Sequence, residues 1–156
     1  MAIRTKLLIV SDTNGEDIPQ VSSLRADVVI HCGDITQLSR IREFCDSLVL
    51  LRRIQSPLKL VIAGNHDFTM DLPTFRRSIS NANELLETEE VRREYGDYGE
   101  TRELFHFLEE GSHHFELQNG PMLTVYASPF TSSLGDCWGF QYRPVQHELL
   151  WRMSTW

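Results

Sequence analysis

Three short polar segments each follow a short apolar run: Ser11-Asp12-Thr13-Asn14, Gly33-Asp34 and Gly64-Asn65-His66-Asp67. Carboxylates, amides and an imidazole set down at strand ends are the groups that ligate divalent cations and move protons. Asp12 and Asp34, on neighbouring parallel strands, would converge. A carboxylate between two cations bridges them, and a metal pair about 3.5–4 Å apart clamps a phosphoryl group and activates a water. Asn65 offers a neutral amide oxygen, and His66 could donate a hydrogen bond to a phosphate or a leaving group. Gly33 and Gly64 allow a tight backbone path beside the ions. Taken singly, Asp12 to Gly15 reads equally as an Asx turn and Gly33-Asp34 as a turn with a helix cap. The order and spacing of all three favour a site over three unrelated turns.

The elements that must position these groups follow from the apolar pattern. Lys6–Val10 reads as a first strand, fully buried because it does not alternate, and Asp27–His31 as a second. Val21–Arg25 reads as one short helix between them. Leu38, Ile41, Phe44, Cys45, Leu48 and Leu51 fall at helical spacing, with Thr36 as the expected N-cap. Leu58–Ala63 is the third strand. Strand, helix and strand in alternation imply a parallel α/β sheet, and such sheets bind ligands outside the carboxyl ends of their strands. The charged stretch from about 73 to 110 reads as surface helices over Glu84–Glu94 and Thr101–Glu110. Phe115–Gln118 and Met122–Tyr126 flank Asn119-Gly120, a two-residue hairpin signal that opens a second, antiparallel sheet near residue 114. From Ser128 onward the composition reads as loop.

The 156 residues suit one domain spanning 1–156. A net charge of −7 argues against a nucleic-acid surface, and the pairs Arg52-Arg53, Arg76-Arg77 and Arg92-Arg93 read as solvated helix faces. Cys32, Cys45 and Cys137 are odd in number and lack short spacing, which points to free thiols in a reducing, cytoplasmic compartment, with Cys32 and Cys45 in the core. No signal peptide and no apolar run long enough to cross a membrane is seen.

The ordered motifs resemble the calcineurin-like metallophosphoesterase family, whose pattern runs Asp-x-His, Gly-Asp, Gly-Asn-His-Asp/Glu, a later lone His and a Gly-His-x-His. His31-Cys32-Gly33-Asp34-Ile35-Thr36, Val125–Phe130 and Gly135–Tyr142 resemble a subgroup of small metallophosphoesterase-domain proteins. The resemblance covers about residues 5 to 144, and 145–156 reads as a divergent tail. It implies an α/β fold, a β-sandwich flanked by helices (αββα), with the second sheet incomplete. It also implies divalent metal ions (Mn, Mg or Fe/Zn), two of them in the family. Asp12 would bind the first metal, Asp34 would bridge both, Asn65 would bind the second, His66 would assist at the phosphate and Asp67 would orient His66.

The chain departs from that pattern at Asn14, where the family has a metal-binding His. An amide oxygen can ligate a hard cation such as Mg²⁺ or Ca²⁺ but replaces imidazole poorly for Mn²⁺, Fe or Zn²⁺. The lone His and the Gly-His-x-His have no counterpart, so the chain reads as a C-terminally truncated member, whether a shortened paralogue or a product of the gene model. His106, His113 and His114 read as packing or surface residues, leaving His147 as the one histidine to recruit. Asp12, Asn14, Asp34 and Asn65 are then the metal ligands, with weak or single occupancy expected. The expected function is metal-dependent hydrolysis of a small phosphoester, weak or lost. The alternative is a non-catalytic phosphate-binding or protein-interaction domain. Trp138, Phe140 and Tyr142 are candidates for the site mouth or for packing. An uncovered apolar sheet face would favour self-association.

Overall fold

A computed structural model describes residues 3–78, 105–132 and 138–148. The expected helix over Glu84–Glu94, the start of Thr101–Glu110 and Cys137 lie outside the described residues. Three apolar runs form parallel strands, β1 (Leu7–Val10), β2 (Val28–Cys32) and β3 (Leu58–Ile62). They align as Leu7 with Val28, Leu8 with Val29, Val28 with Leu58 and Val29 with Lys59. Between β2 and β3 runs helix α1 (Ile41–Arg53), and helix α2 (Leu72–Ser78) follows β3. The fold is mixed α/β on a parallel sheet, as the alternating pattern requires.

Residues 105–110 differ from the expected helix. His106–Phe107 form a short strand β4, which pairs in parallel with β3 through Leu60–His106 and Val61–Phe107. The Leu108 N–H continues that ladder by donating to the Val61 carbonyl at 2.8 Å. Phe105 and Leu108 are buried here, and their burial outweighs the charged composition that pointed to a surface helix.

Period-two alternation in the strands divides the core between two faces of the sheet. Val29 and Val61 point to one face, where Phe44, Leu48, Leu51 and Ile54 of α1 and its end cover them, joined by Ile35 and Phe105. Val28 and Leu60 point to the other, against Leu117 and Ala127 with Phe115, Leu123 and Val125. These last residues belong to an antiparallel hairpin, β5 (Gly111–Glu116) and β6 (Met122–Ala127). Its turn is not the two-residue Asn-Gly type. The Gly120 N–H donates to the Leu117 carbonyl at 2.8 Å, and Gly120 has φ 102° while Asn119 does not reach positive φ. A primed turn needs positive φ at both central residues, so the chain instead closes over Leu117–Gly120 with glycine at the left-handed position.

Several local expectations are corrected. Strand β1 is not fully buried: Leu7 is 45% and Ile9 63% exposed. Their partners Val28 and Ile30 lie under the hairpin, but the hairpin covers β2 and β3 and stops short of β1. Helix α1 starts at Ile41, so Thr36 is not its cap. The Glu43 carboxylate accepts the Arg40 N–H at 3.2 Å and the Leu38 N–H at 2.9 Å, closing the first turn. Cys45 is exposed because the inward stripe of α1 runs through Phe44, Ser47, Leu48 and Leu51; Leu38, which precedes the helix, and Cys32, at the end of β2, are exposed as well. The short helix after β1 is a 3₁₀ turn at Pro19–Ser23. The stretch read as loop includes a two-residue parallel pair, β7 (Thr131–Ser132) with β8 (Gln141–Tyr142).

Candidate functional site

The three polar segments begin where β1, β2 and β3 end, and hydrogen bonds join them. The Asp12 N–H donates to the Gly33 carbonyl at 3.0 Å, and the Asn14 N–H donates to the Asp34 carbonyl at 3.1 Å. Asp12, Asn14 and Asp34 have φ of 55°, 54° and 51°. Left-handed backbone at a residue with a side chain costs on the order of 1–3 kcal/mol and gathers at functional loops. Asp and Asn tolerate it best, which explains why these types stand here. The second and third loops touch through their glycines. A Cβ added at Gly33 would stand 3.0 Å from the Gly64 Cα, and one at Gly64 would stand 2.3 Å from Asp34 Oδ1. Glycine at 64 is therefore what admits the Asp34 carboxylate.

Asp67 ties these loops together. Its side chain is fully buried. Oδ1 accepts the Thr36 hydroxyl at 2.7 Å and the Thr36 N–H at 2.9 Å, while Oδ2 accepts the Gly64 N–H at 2.8 Å and the Ile35 N–H at 3.2 Å. Burial pushes this carboxyl up from the usual range, and the four donors, led by the Thr36 hydroxyl, pull against burial by favouring the ionised form. Thr36 thus serves the site loop rather than the helix. Ser39 and Thr69 extend the seam, their hydroxyls 3.0 Å apart.

His66 is held by others. Its backbone N–H donates to Asp34 Oδ1 at 2.9 Å, which fixes that carboxylate oxygen. Its ring Nδ1 lies 2.8 Å from the Gln37 carbonyl. A carbonyl only accepts, so Nδ1 carries a proton and Nε2 is the ring atom left for a ligand. Asp67, expected to orient the imidazole, faces the loop amides, and Gln37 takes that place. The Trp138 ring lies against the imidazole, with centroids 4.1 Å apart. Phe140 packs on Phe130, and the Tyr142 hydroxyl meets His147 Nδ1 at 2.8 Å.

One neighbour was not singled out by the sequence. His31, on β2, is fully buried and meets the Thr13 hydroxyl through Nε2 at 2.9 Å, while its Nδ1 has no hydrogen-bond partner. Burial lowers its pKa to about 4, against the opposing pull of the Asp12 charge. An apolar strand pattern hides such a residue, because a buried neutral imidazole fits the same periodicity as a valine.

Asp12, Asn14, Asp34 and Asn65 are all oxygen donors. The Oδ1 of Asn14 is buried with no hydrogen-bond partner, while its Nδ2 is spent on the Asp12 carbonyl at 3.2 Å. An orphan acceptor oxygen of this kind suits a hard cation. Among the described residues no group of three or more His, Cys, Asp or Glu comes together to hold a metal ion. By their chemistry the four side chains suit an oxygen-seeking cation better than a metal that calls for imidazole. His106, His113 and His114 take no part. His113 Nε2 lies 2.9 Å from the Glu109 carbonyl and His114 Nδ1 3.0 Å from the Thr124 hydroxyl, on the far hairpin.

A family model described as calcineurin-like phosphoesterase matches residues 5–152. No curated protein matches the chain. No described helix is long and apolar enough to cross a membrane.

Proposed function

This chain belongs to the calcineurin-like phosphoesterase family, and we propose that it hydrolyses a small phosphoester, slowly, with one hard divalent cation. Family membership supports metal-dependent phosphoester hydrolysis in general. The finer reading rests on one observation: Asp34, on the loop after β2, has Oδ1 fixed by the His66 N–H at 2.9 Å on the loop after β3. That bond is made by the main chain of His66, so it ties the Asp34 carboxylate to the loop that carries the imidazole, at the carboxyl edge of the sheet where ligands of parallel sheets bind.

Asp12, Asn14, Asp34 and Asn65 would hold the cation. When bound, a divalent cation polarises a phosphoryl oxygen and lowers the pKa of a coordinated water. The remaining chemistry belongs to the chain. With Nδ1 committed to the Gln37 carbonyl, His66 presents Nε2, which donates a hydrogen bond to a phosphate or leaving-group oxygen as imidazolium and accepts a proton as the neutral ring. Asp67 keeps the loops that carry Asp34 and His66 in register.

The test is hydrolysis of bis-p-nitrophenyl phosphate and p-nitrophenyl phosphate by purified protein, with Mg²⁺, Mn²⁺ or chelator, and Asp34→Asn alongside. Metal-stimulated turnover that disappears in the variant is expected. Activity that persists unchanged in Asp34→Asn overturns the reading. A second reading, a non-catalytic phosphate-binding or interaction domain, is favoured by Asn14 and by the reduced donor set. It predicts a folded protein with no turnover under any divalent cation.

A further inference from the structure

The contact between Trp138 and His66 joins two parts of the chain that are far apart in sequence, and the backbone beside the tryptophan is fastened to the same loop. The Gly139 N–H donates to the Asn65 carbonyl at 2.9 Å, and the Phe140 N–H donates to Asp71 Oδ2 at 2.7 Å. A Cβ at Gly139 would stand 2.8 Å from the Phe68 Cα, so only glycine lets this segment lie close on the loop. The Phe140 carbonyl accepts the Thr131 N–H at 2.9 Å, which anchors the far side to β7. Residues 138–140 thus strap the loop of Asn65 and His66 from outside.

Two restraints then act on the imidazole. The Gln37 carbonyl accepts from Nδ1 and favours the tautomer protonated there for as long as that bond is made. The indole, tilted 39° to the imidazole plane, covers one face. A single hydrogen bond at Nδ1 does not by itself hold the ring, because the terminal torsion of a histidine is broad and a turn about it breaks that bond and the tautomer preference with it. An aromatic wall removes that freedom and shields one face from water. We propose that Trp138 is a positioning residue, which locks the His66 ring so that Nε2 is held toward the substrate. This rests on the reading of His66 as the group that meets the phosphate.

The test compares Trp138→Leu, which keeps bulk without an aromatic face, and Trp138→Phe, which keeps a smaller one, in the isotope-labelled full chain. His66 ring signals are assigned with His66→Gln. In the wild type the His66 carbon-bound ring protons are expected upfield, shifted by the indole, with nitrogen shifts of a single Nδ1-protonated tautomer. In Trp138→Leu the upfield shift is lost and the tautomer signals average, while Trp138→Phe keeps one tautomer. Thr36 and Gly64 amide signals, which report the Asp67 bonds, stay in place and certify the fold. His66 signals without an upfield shift in the wild type overturn the proposal. So does a single tautomer retained in folded Trp138→Leu. Where the protein turns over, Trp138→Leu lowers kcat by about tenfold with KM within about twofold, and Trp138→Phe restores most of it. An unchanged kcat overturns the proposal. A wild type with no turnover defeats the functional reading alone, since the resonance measurements still decide the role of Trp138.

Discussion

At the scale of single residues, Asp67 carries the most structural weight. Asp67→Asn keeps the size of the side chain but turns an acceptor oxygen into a donor, facing N–H groups that it can no longer bind. A loss of about 3 kcal/mol of stability is expected, read as a lowered urea midpoint with an unchanged m-value. Gly64→Ala places a methyl on the Asp34 carboxylate, so the loop must shift. The expected outcome is a modest fall in melting temperature and a loss of metal-stimulated turnover. His31 gives a pH signature. Its folded pKa of about 4 lies below the ordinary 6.5, so between those values the unfolded chain binds more protons than the folded one. Stability therefore falls as pH drops from 6.5 towards 4, by roughly 3 kcal/mol in all. Urea midpoints for wild type and His31→Gln across that window isolate the effect: the variant lacks this part of the slope. The sequence made Asp12, Asp34, Asn65, His66 and Asp67 legible because their types and order are distinctive. Gln37 was invisible, since a main-chain carbonyl has no side-chain signature, and the Asp67 partners Thr36, Ile35 and Gly64 meet it only through tertiary structure.

At the scale of elements, periodicity located the three long parallel strands and α1, and erred where burial is decided by neighbours. The helical spacing of apolar residues in α1 admitted Cys45 and Leu38 to the stripe, yet both face solvent. Leu51→Ala should therefore cost about 2–5 kcal/mol, whereas Cys45→Ser should stay within about 0.5 kcal/mol. Thermal unfolding of the two variants checks the contrast. Strand β4 escaped notice because two residues cannot show a period, and because its pairing with β3 is made far along the chain. The Asn119-Gly120 signal found the hairpin but not its turn type, since one left-handed glycine closes a longer turn equally well.

At the scale of the whole molecule, the parallel sheet is clothed unevenly. Helix α1 covers one face, the β5–β6 hairpin covers the other over β2 and β3, and among the described residues β1 has no strand beyond it. Leu7 and Ile9 look outward from that margin, so copies of the chain should associate there at high concentration. Sedimentation velocity is expected to show concentration-dependent association that Ile9→Lys reduces, and an unchanged profile in the variant would place the contact elsewhere. The seam made by Asp67 has a different kind of consequence. The amides of Ile35, Thr36 and Gly64 share one buried carboxylate, and Ile35 is itself in the core beside α1. None of the three can be released without freeing the others, so their protons should exchange with heavy water together, at the rate of a single opening that reaches the core. The loops that bear the site would then have no private motion of their own: whatever frees them to breathe begins to melt the protein.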